Sequence, residues 1–321
     1  MDELIKRLFE GETHLLPKVI SLLEKDPNQA VSFLSSIDLD IRRKTYTIGI
    51  TGPPGAGKST LISELVKYFD DAKTKIGVIL CDPTSPESGG AILGDRIRLQ
   101  DSFLNPNIFV RSIPNYRADG GVSPLVGVVT SLLAACDYEI VLVESVGVGQ
   151  NEFDLACISD ILIVALVPES GDSVQIMKSG LMELGDIYVI NKSDRVGSME
   201  MQKLVKSQVV MNFHDSSWKP PVILTQAQTS GGIEDLYKSI VMYKEKNMNS
   251  SEILLKKERN KVAEFKMILR NMITAYLLDK NTAPAEISSV VESVNNNKKA
   301  PYVAAYEVFN DLFFKKNKLR N

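Results

Sequence analysis

Residues 46–60 read Tyr46-Thr-Ile-Gly-Ile-Thr-Gly-Pro-Pro-Gly-Ala-Gly-Lys-Ser-Thr60, a short apolar strand that runs into a glycine-rich turn and then into a helix. Glycines at 52, 55 and 57 let the backbone take positive φ angles and bring its N–H groups close to an anion, while the following helix points its positive end at the same spot. The turn Gly52, Pro53, Pro54, Gly55, Ala56, Gly57 is therefore a phosphate cradle. Lys58 is long enough to reach the β- and γ-phosphates of a nucleotide, the Ser59 hydroxyl stands where such a cradle holds Mg²⁺, and Thr60 follows in the first helical turn.

Outward from this stretch, apolar runs alternate with helical segments as far as Tyr243. The runs at 47–51, 76–81, 108–112, 140–144, 161–167, 187–190 and 222–225 are near-continuous Val, Ile and Leu. They predict an α/β fold, a mostly parallel sheet flanked by helices on both faces, with ligands gathered at the strands' carboxyl ends. This domain spans 45–245. Residues 1–44 form an N-terminal helical extension: Leu4, Ile5, Leu8 and Phe9 share one face, and Leu15, Leu16, Val19, Ile20 and Leu23 share another. Gly11 ends the first helix, and Asp26-Pro27 opens a third as N-cap and first-turn proline. Residues 246–321 are helical again. Val262, Phe265, Ile268, Leu269, Met272, Ile273, Tyr276 and Leu277 recur at spacings of three and four, and 301–314 adds Val303, Tyr306, Val308, Phe309 and Phe313. On spacing alone such a stripe is more often intrachain core than a dimer seam.

The 321 residues are ample for a buried core, and 44% apolar with 24% charged residues is the balance of a soluble globular protein. Lys and Arg number 37 against 40 Asp and Glu, a net charge of −3. With no long basic run, this argues against nucleic acid or an anionic membrane as a primary partner. Cys81, Cys136 and Cys157 are widely spaced in apolar surroundings, which suits a reducing, cytoplasmic setting and builds no disulfide framework. The first thirty residues mix charge with short apolar groups, so neither a signal peptide nor a membrane span is expected.

Two further groups carry chemistry. Asn191-Lys-Ser-Asp194 follows the apolar run 187–190. A carboxylate at Asp194 can accept both N1–H and the 2-amino group of guanine; adenine offers neither, so the wrong base leaves the carboxylate unpaired. Asn191 can bond the O6/N7 edge and the Lys192 stem can lie along the ring. Candidate metal ligands beside Ser59 are Asp82 at a strand end, Asp95 in Ser88-Gly-Gly-Ala-Ile-Leu-Gly-Asp95, and Glu144 at the end of a wholly apolar strand. Asp82 also reads as a turn or helix cap before Pro83, and Asp95 as a surface partner of Arg96 or Arg98. Gly147 in Glu144-Ser-Val-Gly147 matches the glycine that senses a γ-phosphate in switch GTPases. The residue after it is Val148, with Gln150 two positions on, which implies slow intrinsic hydrolysis completed by a loop or a partner.

With these motifs in place the chain resembles SIMIBI-class P-loop GTPases of the ArgK/MeaB type, the GTPase chaperones of methylmalonyl-CoA mutase. The stretches carrying the resemblance are 52–60, 82–85, 89–95, 144–150, 171–178 and 191–194, with the glutamate at 144 in place of the usual metal aspartate. The resemblance implies a P-loop NTPase fold, GTP/GDP as the bound nucleotide, and Mg²⁺ held at Ser59, Asp82, Asp95 and Glu144. It implies guanine recognition by Asn191, Lys192 and Asp194, and catalysis by Lys58, Asp82, Glu144 and Gly147. It also implies an extra switch at 169–178 in which Lys178 couples to an adenosylcobalamin-dependent acyl-CoA mutase, and a homodimer through the C-terminal helices. Many relatives carry a Ser-Ala pair at the base; here the sequence is Thr225-Gln-Ala-Gln228, so only Ala227 carries over. Two other readings stay open: a kinase or ATPase associated with arginine/ornithine transport, and a nickel-insertion GTPase, against which the lack of a Cys/His cluster counts.

Overall fold

The computed structural model describes residues 2–38, 40–71, 74–83, 105–115, 122–145, 151–168, 180–247, 250–278 and 285–311. Two compact units divide the chain, 1–264 and 265–321.

The first unit is built on a seven-stranded sheet in the order β3-β2-β4-β1-β5-β6-β7, with every pair parallel. The strands are β1 (Tyr46–Thr51), β2 (Ile76–Pro83), β3 (Ile108–Asn115), β4 (Ile140–Glu144), β5 (Ile161–Leu166), β6 (Ile187–Ile190) and β7 (Val222–Leu224). All seven apolar runs become strands because a sheet covered on both faces needs apolar side chains at every position, in and out alike. In β4 and β5 every residue is buried. Helix α4 (Lys58–Asp71) puts Leu61, Ile62, Leu65, Val66 and Phe69 into the core beside Ile48, Ile50 and Ile163. Among the described residues the other helices of the sheet region are α5 (Leu125–Ala135), α6 (Asn151–Ile158), α7 (Ser198–Asn212) and α8 (Ile233–Asn247). Among the described residues no helix is long and apolar enough to cross a membrane.

The N-terminal helices α1 (Asp2–Phe9), α2 (Leu16–Lys25) and α3 (Pro27–Ser36) belong to this same unit, and α2 and α3 lie against α5. Leu8, Leu16, Val19, Ile20, Leu23 and Phe33 are buried there, whereas Phe9 is exposed. Gly11 takes φ +105° just beyond α1, and the Asp26 carboxylate accepts the Asn28 N–H at 2.9 Å, the expected stop and start signals.

At the amino ends of the strands two aspartates hold the sheet. The Asp160 carboxylate accepts the Thr47 N–H at 2.9 Å and pairs with Lys257 at 3.1 Å. That of Asp186 accepts the Leu162 N–H at 2.8 Å, the Tyr243 hydroxyl at 2.8 Å and Lys256 at 2.6 Å. Both lysines come from α9 (Ser251–Leu278), whose Asn260 also donates to the Ala156 carbonyl at 3.0 Å and whose Glu264 meets Arg42 at 2.9 Å.

The second unit comprises the end of α9, α10 (Ala285–Asn295) and α11 (Pro301–Asn310). An apolar cavity of about 440 Å³ lies between them, lined by Leu277, Ile287, Val290, Val294, Ala304 and Val308 among others. The stripe that spacing alone assigns to intrachain core is largely open. Phe265 is 63% exposed, Met272 52% and Tyr306 61%, while Met267, off the stripe, is buried. Spacing identifies an apolar face; it carries no information on what covers that face.

Candidate nucleotide site

The cradle sits where β1, at the middle of the sheet, passes into α4. Gly52, Gly55 and Gly57 all have positive φ, at +144°, +75° and +84°. Two of them are also sterically required. A Cβ on Gly52 would lie 2.0 Å from the Ala165 carbonyl oxygen, and one on Gly57 would lie 2.4 Å from the Asn191 amide nitrogen. The Lys58 ammonium is buried and donates to the carbonyls of Gly52 at 3.0 Å and Pro53 at 3.3 Å, so it is folded back along the loop it serves.

Beside it the Ser59 hydroxyl donates to Glu144 Oε1 at 2.9 Å, both side chains being buried. Parallel register explains the meeting: Glu144 pairs with Ile50 of β1 and Leu80 of β2, so its carboxylate emerges level with the start of the cradle. Ser145 locks that end through its hydroxyl to Thr51 Oγ1 at 2.9 Å. A hydroxyl and a carboxylate in contact, both hard oxygen donors, fit a magnesium ion. Asp82 lies within β2, which runs two residues past the predicted end and pairs Asp82 with Pro114. The Asp82 side chain, Asp95, Gly147, Gln150 and the whole 169–178 loop with Lys178 lie outside the described residues.

The base side is drawn together by one amide. Asn191, almost fully buried, donates from Nδ2 to the Ala56 carbonyl at 2.8 Å, and its Oδ1 accepts the Thr225 hydroxyl at 3.1 Å and the Ala227 N–H at 3.2 Å. Its oxygen is thus committed within the protein, and the expected role of Asn191 at the guanine edge is joined by that of a tie between cradle and base loop. Lys192 adopts φ +57° directly after it. A cleft of about 110 Å³ opens here, lined by Gly57, Thr60, Asn191, Lys192, Asp194 and Ala227, all expected at the site. Arg195, Gln226 and Gln228 line it as well. Motif reading misses Arg195, which lies one residue beyond the motif and is brought round only by the turn after β6.

Glu152 is a second residue that motif reading misses. It lies in the first turn of α6, is 6% exposed, and interacts electrostatically with Lys58. Burial pushes its carboxyl up to about 7, against the pull of the lysine.

A phosphate cradle and a base-sized cleft on one edge of a parallel sheet, joined through Asn191, define a P-loop nucleotide-binding protein. The chain belongs to the MeaB family, described as methylmalonyl-CoA mutase-associated GTPase, whose model matches residues 16–283. A protein of Pyrococcus horikoshii that carries a GTPase name is 36% identical over 310 residues, 95% of this chain and 96% of that one. GTPase ArgK of Escherichia coli is 34% identical over 250 residues, covering 75% of each chain. The mouse methylmalonic aciduria type A homolog is 30% identical over 291 residues, 85% of this chain and 70% of its own length. A crystal structure of LAO/AO transport system kinase shares the fold over 97% of both chains, with a TM-score of 0.68 at 23% identity.

Proposed function

We propose that the chain binds GTP with Mg²⁺ and hydrolyses it to GDP and phosphate. The observation that supports this reading is the Asn191 tie, because it fastens the phosphate cradle to the loop that lines the Asp194 cleft. Asp194 takes the guanine N1–H and 2-amino donors, and Ala227 offers its backbone beside the base. Lys58 leaves the Gly52 and Pro53 carbonyls for the phosphates, whose developing charge it offsets in the transition state. Ser59 and Glu144, with Asp82 and Asp95, would hold a magnesium ion, which would supply charge neutralisation at the phosphates. Gly147 senses the γ-phosphate through its N–H.

Nucleotide state in turn gates the loading or protection of an adenosylcobalamin-dependent acyl-CoA mutase, with Lys178 and the 169–178 loop coupling the two. The family's description as mutase-associated supports this assignment. The open apolar stripe of 246–321 supports a homodimer through that region. Turnover measured with purified protein, GTP and Mg²⁺ tests the chemistry. Pull-down of the mutase with GDP and with a non-hydrolysable GTP analogue tests the partner, and equal capture in both states would remove the gating role.

A further inference from the structure

The base cleft is closed on one side by the loop 226–231, and that loop is bound to α4 by a contact outside every motif. Gln226 and Gly231 pair across it, N to O at 2.8 Å and O to N at 3.1 Å, making a tight bridge. Between them Ser230 adopts φ +58°, a left-handed conformation that a non-glycine residue keeps only when its surroundings hold it there. What holds it is Glu64. The Ser230 hydroxyl donates to Glu64 Oε2 at 2.6 Å, and Lys67 donates to Oε1 at 2.6 Å.

Glu64 lies on α4, just under two turns after Lys58, and is 9% exposed. Burial raises its pKa, but the hydrogen bonds from Lys67 and Ser230 more than offset this and leave it below its ordinary value. The carboxylate is therefore charged at neutral pH, and the bond from Ser230 is of the stronger, charge-assisted kind. A ring of contacts results. It runs from the cradle through Ala56 O to Asn191, through the Ala227 N–H into the loop, and from Ser230 through Glu64 back into the helix that the cradle begins.

We propose that Glu64 is a positioning residue and that its bond to Ser230 is a latch, seating the 226–231 loop on the base and thereby setting how long a guanine nucleotide stays bound. This rests on the guanine-nucleotide reading above. The latch joins α4 to the base-side loop and touches none of the cradle residues, so its loss shortens residence of the base without weakening the grip on a phosphate chain.

The test is dissociation of N-methylanthraniloyl-GDP by stopped flow, with binding of Mg²⁺-tripolyphosphate measured in parallel by calorimetry. Ser230→Gly tolerates the backbone angle and removes the hydroxyl; Glu64→Ala removes the acceptor. Both are expected to speed GDP dissociation about tenfold, the worth of one charge-assisted hydrogen bond, with tripolyphosphate affinity unchanged. Glu64→Gln keeps an oxygen for Ser230 but not its charge, and is expected to fall between wild type and Glu64→Ala, at about threefold. A wild-type rate in Ser230→Gly, or loss of tripolyphosphate affinity in step with faster GDP release, overturns the latch. If the wild-type protein binds tripolyphosphate but no GDP, the guanine reading fails, and the latch with it.

Discussion

Asn191 donates to the carbonyl of Ala56 at 2.8 Å, a contact across 135 residues that fastens the strand-end motif of β6 to the phosphate cradle. Three groups meet on this one buried amide: Ala56 O, the Thr225 hydroxyl and the Ala227 N–H. Asn191→Ala strands all three away from water. At roughly 1 kcal/mol each it is expected to cost about 2–3 kcal/mol of stability, and guanine-nucleotide affinity should fall with it. Denaturant unfolding with and without GDP measures both; an unaltered midpoint in each would refute the tie.

Lys58→Ala removes the ammonium that waits on Gly52 and Pro53. GTP turnover is expected to fall by at least about a hundredfold. Phosphate release at the wild-type rate would take away the central assignment.

Asp194→Asn exchanges an acceptor for a donor at the base cleft. Guanine nucleotides should weaken roughly thirtyfold or more, and xanthine nucleotides, which present a carbonyl where guanine has its amino group, should gain. Competition of GDP against XDP reads the change directly.

Glu152 makes stability fall as pH rises. Its carboxyl is raised from 4.5 to about 7 in the folded chain, so the folded state holds a proton that the unfolded state has released across that interval. The stabilising effect is complete below about 4.5 and is lost as pH climbs through about 7, with a slope of up to about 1.4 kcal/mol per pH unit from this group. Glu152→Gln should flatten that part of the profile and be more stable than wild type at pH 8. Urea unfolding at half-unit steps from pH 5 to 8 checks it, and parallel profiles for the two proteins would rule it out.

The open stripe on α9 predicts association. Phe265→Glu combined with Met272→Glu puts two charges on a face that is 63% and 52% exposed at these positions. Light scattering after gel filtration should move from dimer to monomer while GTP turnover persists. A mass that does not change would refute association through this face.

How much of this was legible in the chain follows from what each signal encodes. The seven strands could be read because an all-parallel sheet demands unbroken apolar runs, and the cradle because only glycine fits at Gly52 and Gly57. Strand ends were less legible. β2 continues to Pro83 and β3 to Asn115 because each pairs with the other, and pairing is not written in either run alone. The base site was half legible: Asp194 announces itself by spacing, whereas Arg195, Glu64 and Ser230 take their places through turns and helix packing. Val262, Phe265 and Met272 declared a face without declaring its cover.

The pairs Asp160–Lys257 and Asp186–Lys256 have a consequence for the site. They pin the roots of β1 and β5, at the end of the sheet away from the cradle, and form a keel beneath it. On the nucleotide-binding reading proposed above, that frame carries the cradle and the base cleft together as one seat for the nucleotide.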